Sequence, residues 1–124
     1  MEVTVNNFSE TKIDSNFVRR LVRQIDKKKW IVSISFIKRG KMKELNKKYR
    51  GKNNPTDVLS FSMKEGKFLG DVIICPSVAK ENAKKFGCSI KSELARLAAH
   101  GILHLLGYKH GKKMFDLQEK VLNA

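Results

Sequence analysis

The chain has 124 residues, 41% of them hydrophobic, and sets 26 Lys and Arg against 12 Asp and Glu for a formal net charge of +14. That length suits one domain, 1–124, with a modest core and leaves no room for a second independent core. No apolar stretch approaches the ~20 residues of a membrane span, and MEVTVNNFSE carries acid and amide groups where a signal peptide needs a basic and then an apolar run. The expectation is a cytoplasmic, soluble protein with no membrane partner. Such an excess of positive charge opposes compaction and attracts polyanions. A thermophile-like surface would match Glu to Lys in ion-pair networks; here Glu is not matched, so nucleic acid is the favoured partner.

In chain order, Met1 to Val5 alternates apolar and polar side chains, as an edge or half-buried strand does. Asp14 or Ser15 can cap a helix over Asn16 to Lys27, with Phe17, Leu21 and Ile25 at helical spacing. Trp30 to Ile37 reads as a strand, with Val32, Ile34 and Phe36 on one face. Lys41 to Tyr49 reads as a short basic helix with Met42, Leu45 and Tyr49 on one side, and Gly51 to Pro55 as a turn. Val58 to Met63 and Phe68 to Cys75 form a hairpin across a turn containing Gly66. Pro76 opens a helix to Phe86, which Gly87 ends. Ser89 caps a longer helix, Ile90 to Leu106, stopped by Gly107, and a last helix covers Lys112 to Leu122. The fold class is α+β, a small mixed sheet packed with helices. Cys75 and Cys88 lack a metal-type CxxC spacing and read as small buried residues.

The chain's three histidines, His100, His104 and His110, all lie in AAHGILHLLGYKHG. On a helix His100 and His104 point within about 40° of each other, about 6 Å apart at their β-carbons. Leu94, Leu97, Gly101 and Leu105 form the adjacent buried stripe, so the imidazoles sit at the rim of the core. Gly107 breaks the helix and lets His110 return to the same point. Three imidazoles leave a fourth tetrahedral position for water, the mark of a catalytic rather than a structural zinc; zinc-bound water there would have a lowered pKa. His100, His104, Gly107 and His110 fall on fixed positions of the long protease signature HExxHxxGxxH, but Gly101 stands where the general-base Glu belongs. The metal-binding half is present and the peptidase half is missing. Glu93 lies on the same helical face, almost two turns before His100; at about 1.5 Å rise per residue it is too far to ligate, and a salt bridge or a supporting contact behind the ligands fits it better. Asp57 belongs to the turn chemistry before its strand.

HGILHLLGYKH resembles the HGxLHLxGxDH signature of the YbeY family of metal-dependent endoribonucleases. YRGKNNPTDVLSFSM is similar to the family's YRxKDxPTDVLSFP, LGDVIICPSVAKENA to its GDIxI block, and MFDLQEKVL to its C-terminal helix. These ordered blocks cover most of the chain from about Val32 onward. The resemblance implies a zincin-like metal-binding helix, one Zn²⁺ per chain on His100, His104 and His110, and a functional arginine at Arg50. A guanidinium there can hold a phosphate oxygen in a forked bond and stabilise charge developing on the scissile phosphate. It further implies a single-strand-specific endoribonuclease that matures the 3′ end of small-subunit ribosomal RNA and serves ribosome quality control. Its partners would be single-stranded or ribosomal RNA, the small ribosomal subunit and that subunit's assembly factors. Lys47, Lys48 and Lys52 lie in a basic cluster around Arg50, and Tyr49 can stack on a base. Asp57 and Ser60 fall in the PTDVLSF block. No residue stands out as a general base, and a zinc-bound hydroxide and an RNA 2′-hydroxyl both remain open as nucleophile. A ribosome-binding protein with a structural zinc, and a zinc hydrolase with another substrate, are the alternatives.

Three features depart from the family pattern. Lys109 replaces an Asp before the third histidine, Asn53 replaces another Asp, and Gly111, Lys112 and Lys113 run almost directly into the last helix where an acidic insertion is usual. Each makes the cleft more positive. Lys109 is expected to point away from the metal.

Overall fold

The computed structural model describes residues 1–26 and 28–123. Strand β1 (Glu2–Asn7) buries Val3 and leaves Glu2 and Thr4 in solvent. Helix α1 (Ser15–Ile25) starts at Asp14, whose carboxylate accepts the Phe17 N–H at 3.1 Å. Such a cap contributes about 1 kcal/mol. The expected helix end at Lys27 lies outside the described residues. Strand β2 (Ile31–Phe36) buries Val32, Ile34 and Phe36 completely, on the face its alternation assigns. Helix α2 (Arg39–Arg50) runs slightly longer at both ends than its apolar spacing marks, and turns Met42 and Asn46 inward. The Asn46 amide donates to the Asn54 carbonyl at 2.7 Å and so ties the following turn to the helix.

Strands β3 (Val58–Glu65) and β4 (Phe68–Ile74) form the expected antiparallel hairpin, β3 continuing past Met63. Helix α3 (Pro76–Phe86) begins on its proline, α4 (Ile90–Leu105) on Ser89, whose hydroxyl oxygen accepts the Ser92 N–H at 3.0 Å, and α5 (Lys112–Leu122) closes the order. Cys75 is fully buried, but Cys88 is exposed. It stands in the surface turn between Gly87, which ends α3, and Ser89, which caps α4, where no core is within reach.

The sheet has four strands in the order β1-β2-β4-β3. β1 and β4 both run parallel to β2, and β3 runs antiparallel to β4 along the edge. The fold is therefore a mixed α+β sheet. Helices α1 and α4 cover one face through a core that includes Val22, Phe36, Val72, Leu97 and Ile102. A smaller cluster of Ile37, Met42, Leu59 and Cys75 gathers beneath α2.

Gly101 sets how closely α4 lies on the sheet. A β-carbon there would stand 2.5 Å from Val72 Cγ1 and 3.2 Å from Ser60 Oγ. This is a contact that a real side chain cannot make, and it explains why no Glu occupies the position. Ser60 donates its hydroxyl to the Gly101 carbonyl at 3.4 Å across the same seam. The close approach brings the rim of α4 directly beside edge strand β3.

Candidate metal centre

The last turn of α4 ends in a paired backbone motif. The Gly107 N–H donates to His104 O at 3.0 Å, and the Tyr108 N–H donates to Leu103 O at 3.1 Å. This 5→2 and 6→1 pattern requires a left-handed residue between helix and loop, and Gly107 supplies it with φ 98°. The reversal carries His110 back to the helix it has just left.

The imidazoles converge through their Nε2 atoms. His104 Nε2 lies 3.1 Å from His100 Nε2 and 3.2 Å from His110 Nε2. A tetrahedral ion at 2.0–2.1 Å from each nitrogen sets its ligand atoms about 3.3–3.4 Å apart. The donor set and its spacing fit such an ion: one ligand atom from each histidine, all within 4.8 Å of one another. Burial lowers the pKa of His100, with the neighbouring His104 charge acting the same way. Burial also lowers that of His104, helped by His110. Both rings are thus biased toward the neutral form a metal requires.

Gln118 of α5 is a residue that sequence reasoning missed. It is 5% exposed and places its amide oxygen 3.2 Å from His100 Nδ1. With Nδ1–H donating to that oxygen, Nε2 is the free nitrogen, and the ring is held from behind. An amide within an amphipathic helix leaves no periodic signal. Only its three-dimensional neighbour reveals it.

In front of the histidines lies a cleft of about 410 Å³, whose walls include Arg50, Thr56, Asp57, Ser60, Ser62 and all three imidazoles. Arg50 comes from the end of α2, Asp57 from the turn just before β3, Ser60 from β3 itself, and His100 and His104 from α4. The structure thus brings Arg50, Asp57 and Ser60 to the same cleft as the three histidines. The Asp57 carbonyl accepts the Cys75 N–H at 2.9 Å, and its carboxylate accepts from Asn82 at 3.1 Å, so its turn is fixed from two sides. Glu93 is not in the cleft. It is 2% exposed, grips Arg96 through bonds of 2.8 and 2.7 Å, and accepts from Asn82 at 3.4 Å. The salt bridge expected of Glu93 is the Arg96 pair, and Asn82 links its carboxylate to that of Asp57.

Lys47, Lys48 and Lys52 are exposed and do not line the cleft. Tyr49 meets Phe61 edge-on at 5.0 Å between ring centroids and keeps 55% exposure. Lys109 is exposed and lines neither this cleft nor the groove behind the histidines. No described helix is long and apolar enough to cross a membrane.

A mixed sheet whose longest described helix offers two imidazoles, met by a third from the loop that follows it, to an open cleft could hold a metal ion with one side left open, as a hydrolase does, rather than in a closed structural site. Residues 3–124 match the family model described as Endoribonuclease YbeY. The chain is 43% identical over 108 residues to Endoribonuclease YbeY of Staphylococcus saprophyticus, covering 75% of this chain and 71% of that protein. It is 45% identical over 103 residues to the Sulfurihydrogenibium protein of the same name, covering 74% and 68%. It also resembles the solution structure of TM1509 from Thermotoga maritima, with a TM-score of 0.76 and 31% identity over 98% of this chain and 87% of that one. The chain belongs to the Endoribonuclease YbeY family, a family of RNA-cleaving enzymes.

Proposed function

We propose that this chain is a zinc-dependent, single-strand-specific endoribonuclease acting as a single domain, 1–124. Its substrate is ribosomal RNA, at the 3′ end of the small-subunit RNA, and its role includes ribosome quality control. It works in the cytoplasm with the small ribosomal subunit and that subunit's assembly factors. The observation that carries the reading is the meeting of Arg50 with the three converging Nε2 atoms in one open cleft.

His100, His104 and His110 would hold one zinc ion. When bound, it supplies Lewis-acid polarisation of a phosphoryl oxygen and a nucleophile usable at neutral pH. Arg50 offers a planar fork to the scissile phosphate and stabilises the charge that develops there. Asp57, fixed by Asn82, shapes the wall against which the strand lies, and Ser60 holds β3 to α4. Glu93 secures Arg96 behind the ligands. Lys47, Lys48 and Lys52 add to the summed field that draws RNA toward Arg50, and Tyr49 offers its exposed ring to a base. An open cleft favours catalysis over the reading in which zinc is only structural.

The test is incubation of the purified chain with single-stranded and structured ribosomal RNA, with and without chelator. Single-stranded RNA should be cut and chelator should stop the cutting. Arg50→Ala should lower the cleavage rate by about 10²–10³, the range for removing one transition-state donor, while zinc stays near one per chain. A native rate in Arg50→Ala, or cleavage indifferent to chelator, would overturn the reading.

A further inference from the structure

A second groove, of about 360 Å³, opens on the other side of the histidines and shares His100 and His110 with the cleft. Its remaining walls include Arg96, Met114, Phe115 and Glu119. The cleft and this groove therefore adjoin at His100 and His110.

The Arg96 guanidinium is fixed before any ligand arrives. Nε and Nη2 donate to the buried Glu93 carboxylate at 2.8 and 2.7 Å, and the side chain remains 35% exposed. Nη1 makes no hydrogen bond among the described residues. Its donors can therefore be offered with little loss of rotamer freedom. Phe115 is 58% exposed on α5, a large apolar ring left in solvent on the same wall. An exposed aromatic beside a fixed arginine is a stacking platform for a base.

The charges select a base over a phosphate. Arg96 is already countered by Glu93, and Glu119 adds a second carboxylate to the wall. A phosphate would meet that carboxylate at a cost. A neutral base does not, and guanine carries both complements: O6 and N7 accept from an arginine, while its ring and exocyclic N–H groups donate to a carboxylate. Adenine lacks the O6 acceptor, and pyrimidines offer less ring to stack. The volume is that of a small-molecule site.

We propose that this groove is a nucleobase subsite that takes one unpaired guanine adjoining the scissile phosphate, stacked on Phe115 and read by Arg96 and Glu119. The proposal rests on the endoribonuclease reading and adds a sequence preference to it.

The test uses the full zinc-loaded chain and fluorescein-labelled uridine hexamers carrying one internal G, A or C, or none. Binding is followed by anisotropy in the cold, and RNA integrity is checked on a gel afterwards. The G hexamer should bind about tenfold more tightly than the others, the scale of one good base contact. Phe115→Ala, at an exposed position, should weaken the G hexamer about tenfold. Arg96→Lys keeps a cation for Glu93 but loses the fork, and should erase the preference for G. Equal affinities for all four hexamers, or native affinity in Phe115→Ala, would overturn the subsite. Cleavage mapping separates the two readings. Cuts that ignore the position of G defeat the subsite and leave the ribonuclease standing. A preference for G in binding with no cleavage of any RNA defeats the ribonuclease and leaves the subsite standing.

Discussion

His100 and His104 carry a pH dependence whose sign follows from their burial. In the unfolded chain an imidazole takes its proton near pH ~6.5. In the folded chain burial lowers that point for both rings, with charge repulsion inside the cluster adding to it. As pH falls through about 6.5 the unfolded state therefore binds more protons than the folded one, and stability declines. The contribution is complete above about pH 7 and is lost over the interval below about pH 6.5. Urea unfolding of metal-free protein, read by the single Trp30, should show a midpoint that drops over this interval. A flat midpoint would contradict the assignment. The histidines could be read from spacing alone because a helix and a glycine stop are local. Gln118 could not, because it acts through His100 across 18 positions of sequence, a neighbour that only the packed structure brings near. The Arg96–Glu93 pair is local, three residues apart on α4, but the burial of Glu93 that fixes the guanidinium needed the fold.

Among the elements, α4 bears the most constraint. It is core on one side, metal centre on another, and it meets the sheet through Gly101 with no room for a methyl group. Gly101→Ala must push α4 away from Val72 or displace Val72 itself. Overpacking of this kind costs about 1–3 kcal/mol. The expected outcome is a lower denaturation midpoint together with weaker zinc retention against a chelator, because His100 flanks the same position. Unchanged stability would mean that the seam can open freely. The element spans were largely legible. Alternation marked β2, and the caps Asp14 and Ser89 marked two helix starts. Strand order was not legible, because nothing local in β4 says that it will insert between β2 and β3. That order is set by the parallel pairing of β4 with β2, from which it is separated in sequence by α2 and β3, and it is what leaves β3 at the edge facing α4.

On the scale of the whole molecule, the +14 charge acts as a field rather than as a set of contacts. Lys47, Lys48 and Lys52 lie outside the cleft, so their influence is long-ranged and screened by salt. RNA binding should weaken steeply as salt rises, with a slope of log K against log [salt] of about −0.7 for each phosphate neutralised on a single strand. Anisotropy titrations from low to physiological salt would measure it. A slope near zero would mean that the basic surface faces something other than RNA. The charge excess was visible from composition, but its division between a lined cleft and an outer field required the fold.

The loop through which His110 rejoins α4 separates two dependencies. His100, His104 and His110 come from one short continuous segment, so enclosing an ion among them closes only short loops, at small entropic expense. Arg50 and Asp57 reach the same cleft only if the sheet has assembled around β4. Damage to the sheet can therefore leave a chain that still holds its ion yet has no opposing wall. Metal content would certify the segment, and it would not certify the enzyme.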